Sequence, residues 1–189
     1  LEPFVTNLLE VDWSSIPEPA DDGMAAHLEG AMLPTTSLPS TDGALIDLAR
    51  LGGRTVVYAY PMTGRPGVAL PYGWDMIPGA RGCTPQSCAF RDHFNELRQV
   101  GVHNLFGLST QDTDYQKEAA KRLHLPFALL SDANLQLSGT LRLPMFEVAG
   151  SKLLKRMTLV LDDGQITKVF YPVFPPDRSV VDLLEWLRA

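Results

Sequence analysis

The chain holds two cysteines, five positions apart in Gly82-Cys83-Thr84-Pro85-Gln86-Ser87-Cys88-Ala89-Phe90-Arg91-Asp92. A thiol pair this close can supply both an attacking sulfur and a second sulfur to close a disulfide on it. Downstream, Phe90, Phe94 and Leu97 recur at i, i+4 and i+7, and Gly101 is a stop signal, so the spacing predicts a helix that begins near Cys83. Counting back seven from Phe90 reaches Cys83, which therefore tops the inward face, while Cys88 points elsewhere. On an ideal helix the two would stand about 140° apart, with Cα atoms about 8.6 Å from each other, beyond disulfide reach. Joining them requires the first turn to unwind. The pair reads as a two-state redox device.

The first thiol lies where an anion is favoured, at unsatisfied N–H groups and the positive end of a helix dipole. A free thiol with a pKa of about 8.5 is roughly 3% ionised at neutral pH, whereas one at about 6 is roughly 90% ionised. That difference amounts to about 3.4 kcal/mol. An exposed helix terminus supplies only about 0.3–1 kcal/mol. A cation from elsewhere in the chain, or further hydrogen bonds, must supply the rest.

The remaining composition bounds the setting. At 189 residues, 45% of them hydrophobic and 20% charged, one domain with a substantial core is expected. The net charge of −6 argues against a nucleic-acid partner or a polybasic membrane patch. No apolar run approaches the roughly 20 residues of a membrane span. Leu1-Glu2-Pro3-Phe4-Val5-Thr6 lacks the basic-then-apolar plan of a secretory signal. The cytoplasm is the expected compartment, where a close cysteine pair is more often catalytic than structural. His27, His93, His103 and His124 show no metal-ligand spacing, and no metal or cofactor is expected.

Residues 1–32 form an N-terminal extension, with Phe4, Leu8, Leu9 and Val11 as a short amphipathic arm, and residues 33–189 form the main domain. Thr41-Asp42-Gly43 reads as a turn between two short strands. Arg54–Tyr60 is near-continuously apolar, as in a strand buried on both faces, and Pro61 ends it. Residues 102–109 repeat that pattern after the cysteine helix, so a parallel crossover is expected. A helix follows from Asp112 to His124, with acids at its start and bases near its end; then come a strand at 127–130 and a helix at 134–141. Residues 156–161 and 166–171 flank Asp163-Gly164, the sharpest hairpin signal in the chain. A last helix sets Val180, Leu183, Leu184 and Leu187 on one face. The order is α/β: β-α-β, a connection, then β-β-α.

Three stretches carry a family resemblance: Tyr60-Pro61, Gly82-Cys83-Thr84 through Phe90-Arg91-Asp92, and Arg156-Met157-Thr158-Leu159-Val160-Leu161-Asp162. Together they resemble the peroxiredoxins, in the branch called the Q or bacterioferritin-comigratory type, from about Leu33 to the C-terminus. The resemblance implies a thioredoxin-like fold, a central mixed sheet flanked by helices, with Cys83 as peroxidatic and Cys88 as resolving cysteine. It also implies that Arg156 is the activating cation, a group that the thiolate argument requires independently. The implied partners are a hydroperoxide substrate and thioredoxin or a similar dithiol reductant; monomer and homodimer both stay open from the sequence.

The chain departs from the family pattern P-x-x-x-T/S-x-x-C. Ala80 occupies the hydroxyl position and Met76 the proline position, and Pro61 lies upstream of an inserted loop, Met62 to Arg81. Thr63, just past the strand end, is the candidate to restore the hydroxyl, although it also reads as a plain turn residue. Tyr72 and Trp74 in the loop are candidate apolar walls of a substrate collar. Two other readings remain at this level. One is a redox-sensing thioredoxin-like module with little peroxidase turnover, motivated by Ala80 and the enlarged loop. The other is a general thiol–disulfide oxidoreductase, disfavoured because cysteines five apart cannot bridge on an intact helix.

Overall fold

The computed structural model describes residues 7–189, so Phe4 of the expected arm lies outside the described residues. Two short antiparallel strands, β1 (Ser37–Pro39) and β2 (Leu45–Asp47), enclose the Thr41-Asp42-Gly43 turn. The first long strand, β3 (Arg54–Ala59), leads through the inserted loop to α1 (Cys83–Asp92) and α2 (Phe94–Gln99). Then follow β4 (Val102–Ser109), α3 (Thr113–Arg122), β5 (Leu129–Ser131) and α4 (Gln136–Leu141). A hairpin of β6 (Met145–Val148) and β7 (Ser151–Leu154) precedes β8 (Met157–Asp162), β9 (Gln165–Phe170) and α5 (Ser179–Arg188). No helix among the described residues is long and apolar enough to cross a membrane.

Five strands form the central sheet in the order β5-β4-β3-β8-β9. β3 runs parallel to β4 and antiparallel to β8, and β4 runs parallel to β5. The sheet is thus mixed and the fold thioredoxin-like, as the α/β order implies. Both faces of β3 are buried because its side chains alternate between two cores. Val57 and Ala59 join Leu28, Leu38, Leu137 and Leu159 on one side. Val56, Tyr58 and Tyr60 join Cys83, Phe90, Leu97, Val180 and Leu183 on the other. This strict alternation is the two-residue period of a strand covered on both faces.

Both borders of the sheet are occupied. Residues 30–33 run along β9, with the Gly30 N–H donating to the Ile166 carbonyl at 2.7 Å and the Ile166 N–H to the Ala31 carbonyl at 2.9 Å. At the opposite border the Thr41 N–H donates to the Leu129 carbonyl and the Leu129 N–H to Thr41 Oγ1, both at 3.0 Å. Leu28, within the expected extension, is fully buried in the main core.

Three local differences from the sequence reading have physical causes. The single cysteine helix divides at His93, where φ −100° and ψ 9° end α1 and open α2. Hydrophobic period alone does not register the break, because Phe90 and Leu97 still reach the same core across it. The β6–β7 hairpin was not read from the sequence. Its turn residues, Ala149 at φ 48° and Gly150 at φ 77°, carry only one of the two usual turn signals. Arg156 falls just before β8 rather than within the strand.

Candidate active site

Cys83 is the first residue of α1, after Gly82 at φ 110°. A Cβ at Gly82 would lie 2.6 Å from the Trp13 ring and 2.8 Å from Pro176 Cγ, so this helix start admits glycine on both backbone and steric grounds. Pro85 in the first turn has no N–H to leave unsatisfied. The helix is fixed to β3 through Tyr58. Its ring stacks on Phe90 at 4.4 Å and 8°, and its hydroxyl donates to Ser87 Oγ at 3.0 Å. That registration sets Cys83 at the C-terminal end of β3, facing the loop that leaves it.

Cys83 is 3% exposed, and its sulfur has two donors aimed at it. Arg156 Nη2 approaches to 3.2 Å and the Met62 backbone N–H to 3.4 Å. As a thiol, the sulfur can instead donate to the Ala80 carbonyl at 3.7 Å. Arg156 is itself 3% exposed. Its Nη1 donates to Gln86 Oε1, and its Nη2 also reaches the carbonyls of Gly79 (3.3 Å), Ala80 (3.1 Å) and Arg81 (3.3 Å). Gln86 is held in turn by donating to Ser179 Oγ at 3.3 Å. Among the described residues no carboxylate pairs with Arg156, so this buried cation meets neutral oxygens and one sulfur. A buried charge is costly unless offset. Of the atoms that this guanidinium reaches, the Cys83 sulfur is the ionisable one.

Cys88 lies in the same helix, half-buried, and both cysteines are free. Burial pushes the Cys88 thiol above the usual range, with Arg91 opposing that shift. Cys88 thus rests as a neutral thiol while α1 is intact.

The redoxin family profile matches residues 28–184. The chain is 31% identical over 163 residues to peroxiredoxin Q, chloroplastic, of Oryza sativa subsp. japonica, covering 85% of this chain and 67% of that protein. It is 31% identical over 169 residues to peroxiredoxin Bcp of Escherichia coli (strain K12), covering 84% of this chain and 94% of that one. Peroxidoxin BcpB from Mycobacterium tuberculosis superposes with a TM-score of 0.68 at 26% identity, covering 86% of this chain and 97% of that one. The chain belongs to the peroxiredoxins, in their Q/Bcp branch. It is accordingly an enzyme of the thiol peroxidase class.

In this peroxiredoxin the loop residues named from sequence go to different places. Pro61 is buried at the strand end beside Met62. Thr63 is buried, but its hydroxyl donates to Gln111 Oε1 at 3.3 Å rather than to Cys83, and its N–H reaches the same oxygen at 3.1 Å. Its carbonyl accepts from the Tyr115 hydroxyl at 2.8 Å. Thr63 thus clamps the loop to α3, and the donor that the loop gives the Cys83 sulfur is the Met62 N–H. Trp74 is buried against Ala80 and Leu153, with Phe146 at 6.3 Å, so the β6–β7 hairpin supplies its packing. Tyr72 forms no wall. Set between Pro71 and the left-handed Gly73, it stands fully in solvent.

Two neighbours of the site were not read from the sequence. Gln86 follows Cys83 by three residues, on the same helix face, and that spacing alone could have marked it. Leu8 lines the cavity in front of the sulfur together with Met62, Leu70 and Trp74. No local signal in the sequence joins residue 8 to residue 83.

Proposed function

We propose that this peroxiredoxin reduces hydroperoxides through Cys83, with Cys88 as resolving thiol and Arg156 as the activating cation. The observation that carries the reading is the buried Arg156 guanidinium, 3.2 Å from the sulfur and without a carboxylate partner among the described residues. The Cys83 thiolate attacks the distal oxygen of ROOH. A sulfur–oxygen bond forms, the O–O bond breaks and RO⁻ leaves, taking a proton to give ROH. Sulfur is oxidised to the sulfenic acid and the peroxide is reduced. Arg156 and the Met62 N–H stabilise charge on the sulfur and, as the bond breaks, on the peroxide oxygens.

The α1 start then unwinds and Cys88 attacks the sulfenic sulfur, releasing water and forming the Cys83–Cys88 disulfide. An external dithiol of the thioredoxin kind reduces it by exchange and is itself oxidised. Thr63 acts in this scheme by holding the loop, not by touching the sulfur.

The test is steady-state consumption of hydrogen peroxide with thioredoxin, thioredoxin reductase and NADPH. Cys83→Ser should abolish turnover. Cys88→Ser should retain one oxidation per chain, trapped by dimedone as a sulfenic acid, without an intramolecular disulfide. A wild-type chain that forms the disulfide but consumes peroxide no faster than free cysteine would overturn the proposal.

A further inference from the structure

The cavity before the Cys83 sulfur measures about 10 Å³, near the least space that holds a single water. Beside the loop residues Met62, Leu70 and Trp74, its lining includes Leu8 from the N-terminal segment. Leu8 seats over Gly64 so closely that a Cβ there would lie 2.8 Å from Leu8 Cδ2.

The segment that carries Leu8 is fastened on both sides. On one side the buried Arg81, two residues before Cys83, donates through Nη2 to the Asn7 carbonyl. Asn7 Oδ1 also accepts from the Leu9 N–H at 3.0 Å and the Glu10 N–H at 3.2 Å, which folds the strap locally. On the other side the Trp13 indole N–H donates to Asp177 Oδ2 at 3.1 Å, and its ring lies on Gly82 and edge-on to Phe174. Leu8 is therefore held between two anchors, with its side chain set against Gly64.

We propose that Leu8 is a specificity-determining residue, which restricts the Cys83 site to hydrogen peroxide and the smallest hydroperoxides. This rests on the peroxidase reading and names the substrate class of that same site. With Leu8 seated, the space in front of the sulfur takes one oxygen-sized atom, so the distal oxygen of a small peroxide can enter, whereas an aryl or branched-alkyl substituent on the other oxygen meets Leu8. A bulky hydroperoxide must displace Leu8 before its distal oxygen can reach the sulfur. A single methylene's difference in fit to an apolar pocket is worth about 10- to 200-fold in discrimination.

The experiment measures kcat/KM for hydrogen peroxide and for cumene hydroperoxide in wild type, Leu8→Ala and Leu8→Trp, with thermal melts to confirm folding. The cumene-to-hydrogen-peroxide ratio should be below about 0.1 in wild type, rise about tenfold in Leu8→Ala and fall in Leu8→Trp. A general loosening of the strap would not move the ratio in opposite directions with side-chain size. Peroxide consumption with a ratio unchanged across the three proteins overturns the gate while leaving the peroxidase reading intact. No consumption of either peroxide by wild type overturns both.

Discussion

Replacing Arg156 with Met keeps an unbranched chain in the site but removes the guanidinium 3.2 Å from the Cys83 sulfur. At an effective dielectric of about 20, two unit charges at that separation attract by about 5 kcal/mol. Desolvation of both groups offsets part of this. Loss of a single preorganised donor at a reacting centre typically costs 10²–10³ in rate, about 2.7–4 kcal/mol. The second-order rate constant for oxidation of Cys83 by hydrogen peroxide should therefore fall about 10²- to 10³-fold. Stopped-flow intrinsic fluorescence during a single oxidation measures it without the reductant.

The same change strands Gln86 Oε1 and the carbonyls of Gly79, Ala80 and Arg81, each bond contributing about 0.5–1.5 kcal/mol. A lower Tm is expected, and the rate belongs to the folded fraction. Arg156→Lys separates the two effects. It returns the charge but not the planar fork, so it should recover rate more than stability. A folded Arg156→Met protein that oxidises within tenfold of wild type would refute the assignment of Arg156.

Two further predictions concern stability. Gly82→Ala forces a side chain to φ 110° and into Trp13 and Pro176, so it should cost about 2 kcal/mol, a fall in Tm of roughly 4–8 °C; an unchanged melt would mean that the helix start relaxes freely. Asp22 accepts from Lys155 Nζ at 2.6 Å and the Tyr171 hydroxyl at 2.8 Å. The Lys155 bond leads, against desolvation and with help from Tyr171 and the Met24 N–H, in holding its carboxyl at about 2. The unfolded chain takes up that proton first, so the stabilisation is complete above about pH 4 and is lost as pH falls through about 2. Because the pair is one-third exposed, Asp22→Asn should lower Tm by only about 2–3 °C at pH 6. That gap should close between pH 4 and 2, and a gap that widens on acidification would contradict the argument.

The core strands were legible because burial writes itself into sequence. β3 and β4 read as unbroken apolar runs since both faces are covered, and Asp163-Gly164 marks its hairpin by two residues at positive φ. Cys83 could be placed on the inward helix face from Phe90 and Leu97 alone. The partner of its sulfur needed more. Arg156 was named from a family resemblance, although the thiolate argument had already required a cation. The loop was harder still. Thr63 and Trp74 are fixed by Gln111, Tyr115 and Leu153, residues distant in sequence whose contacts obey no local period. Tyr72 and Trp74 look alike as aromatic loop residues, yet a left-handed Gly73 between them sends one to solvent and the other to the core.

The occupied borders of the central sheet limit how copies of this molecule can meet. Residues 30–33 cover the start of β9, and further along Glu29 Oε1 accepts the outward Val169 N–H at 3.1 Å, while Ser40 and Thr41 cover β5. An uncovered strand is a template for self-addition, and hence for fibres as well as for ribbon-like dimers. Among the described residues, neither border of the central sheet leaves a free ladder on which such addition could start. Contacts between copies at these two borders would have to be built from side chains rather than from backbone ladders, and could then be tuned or lost without disturbing the strands that position the active sulfur.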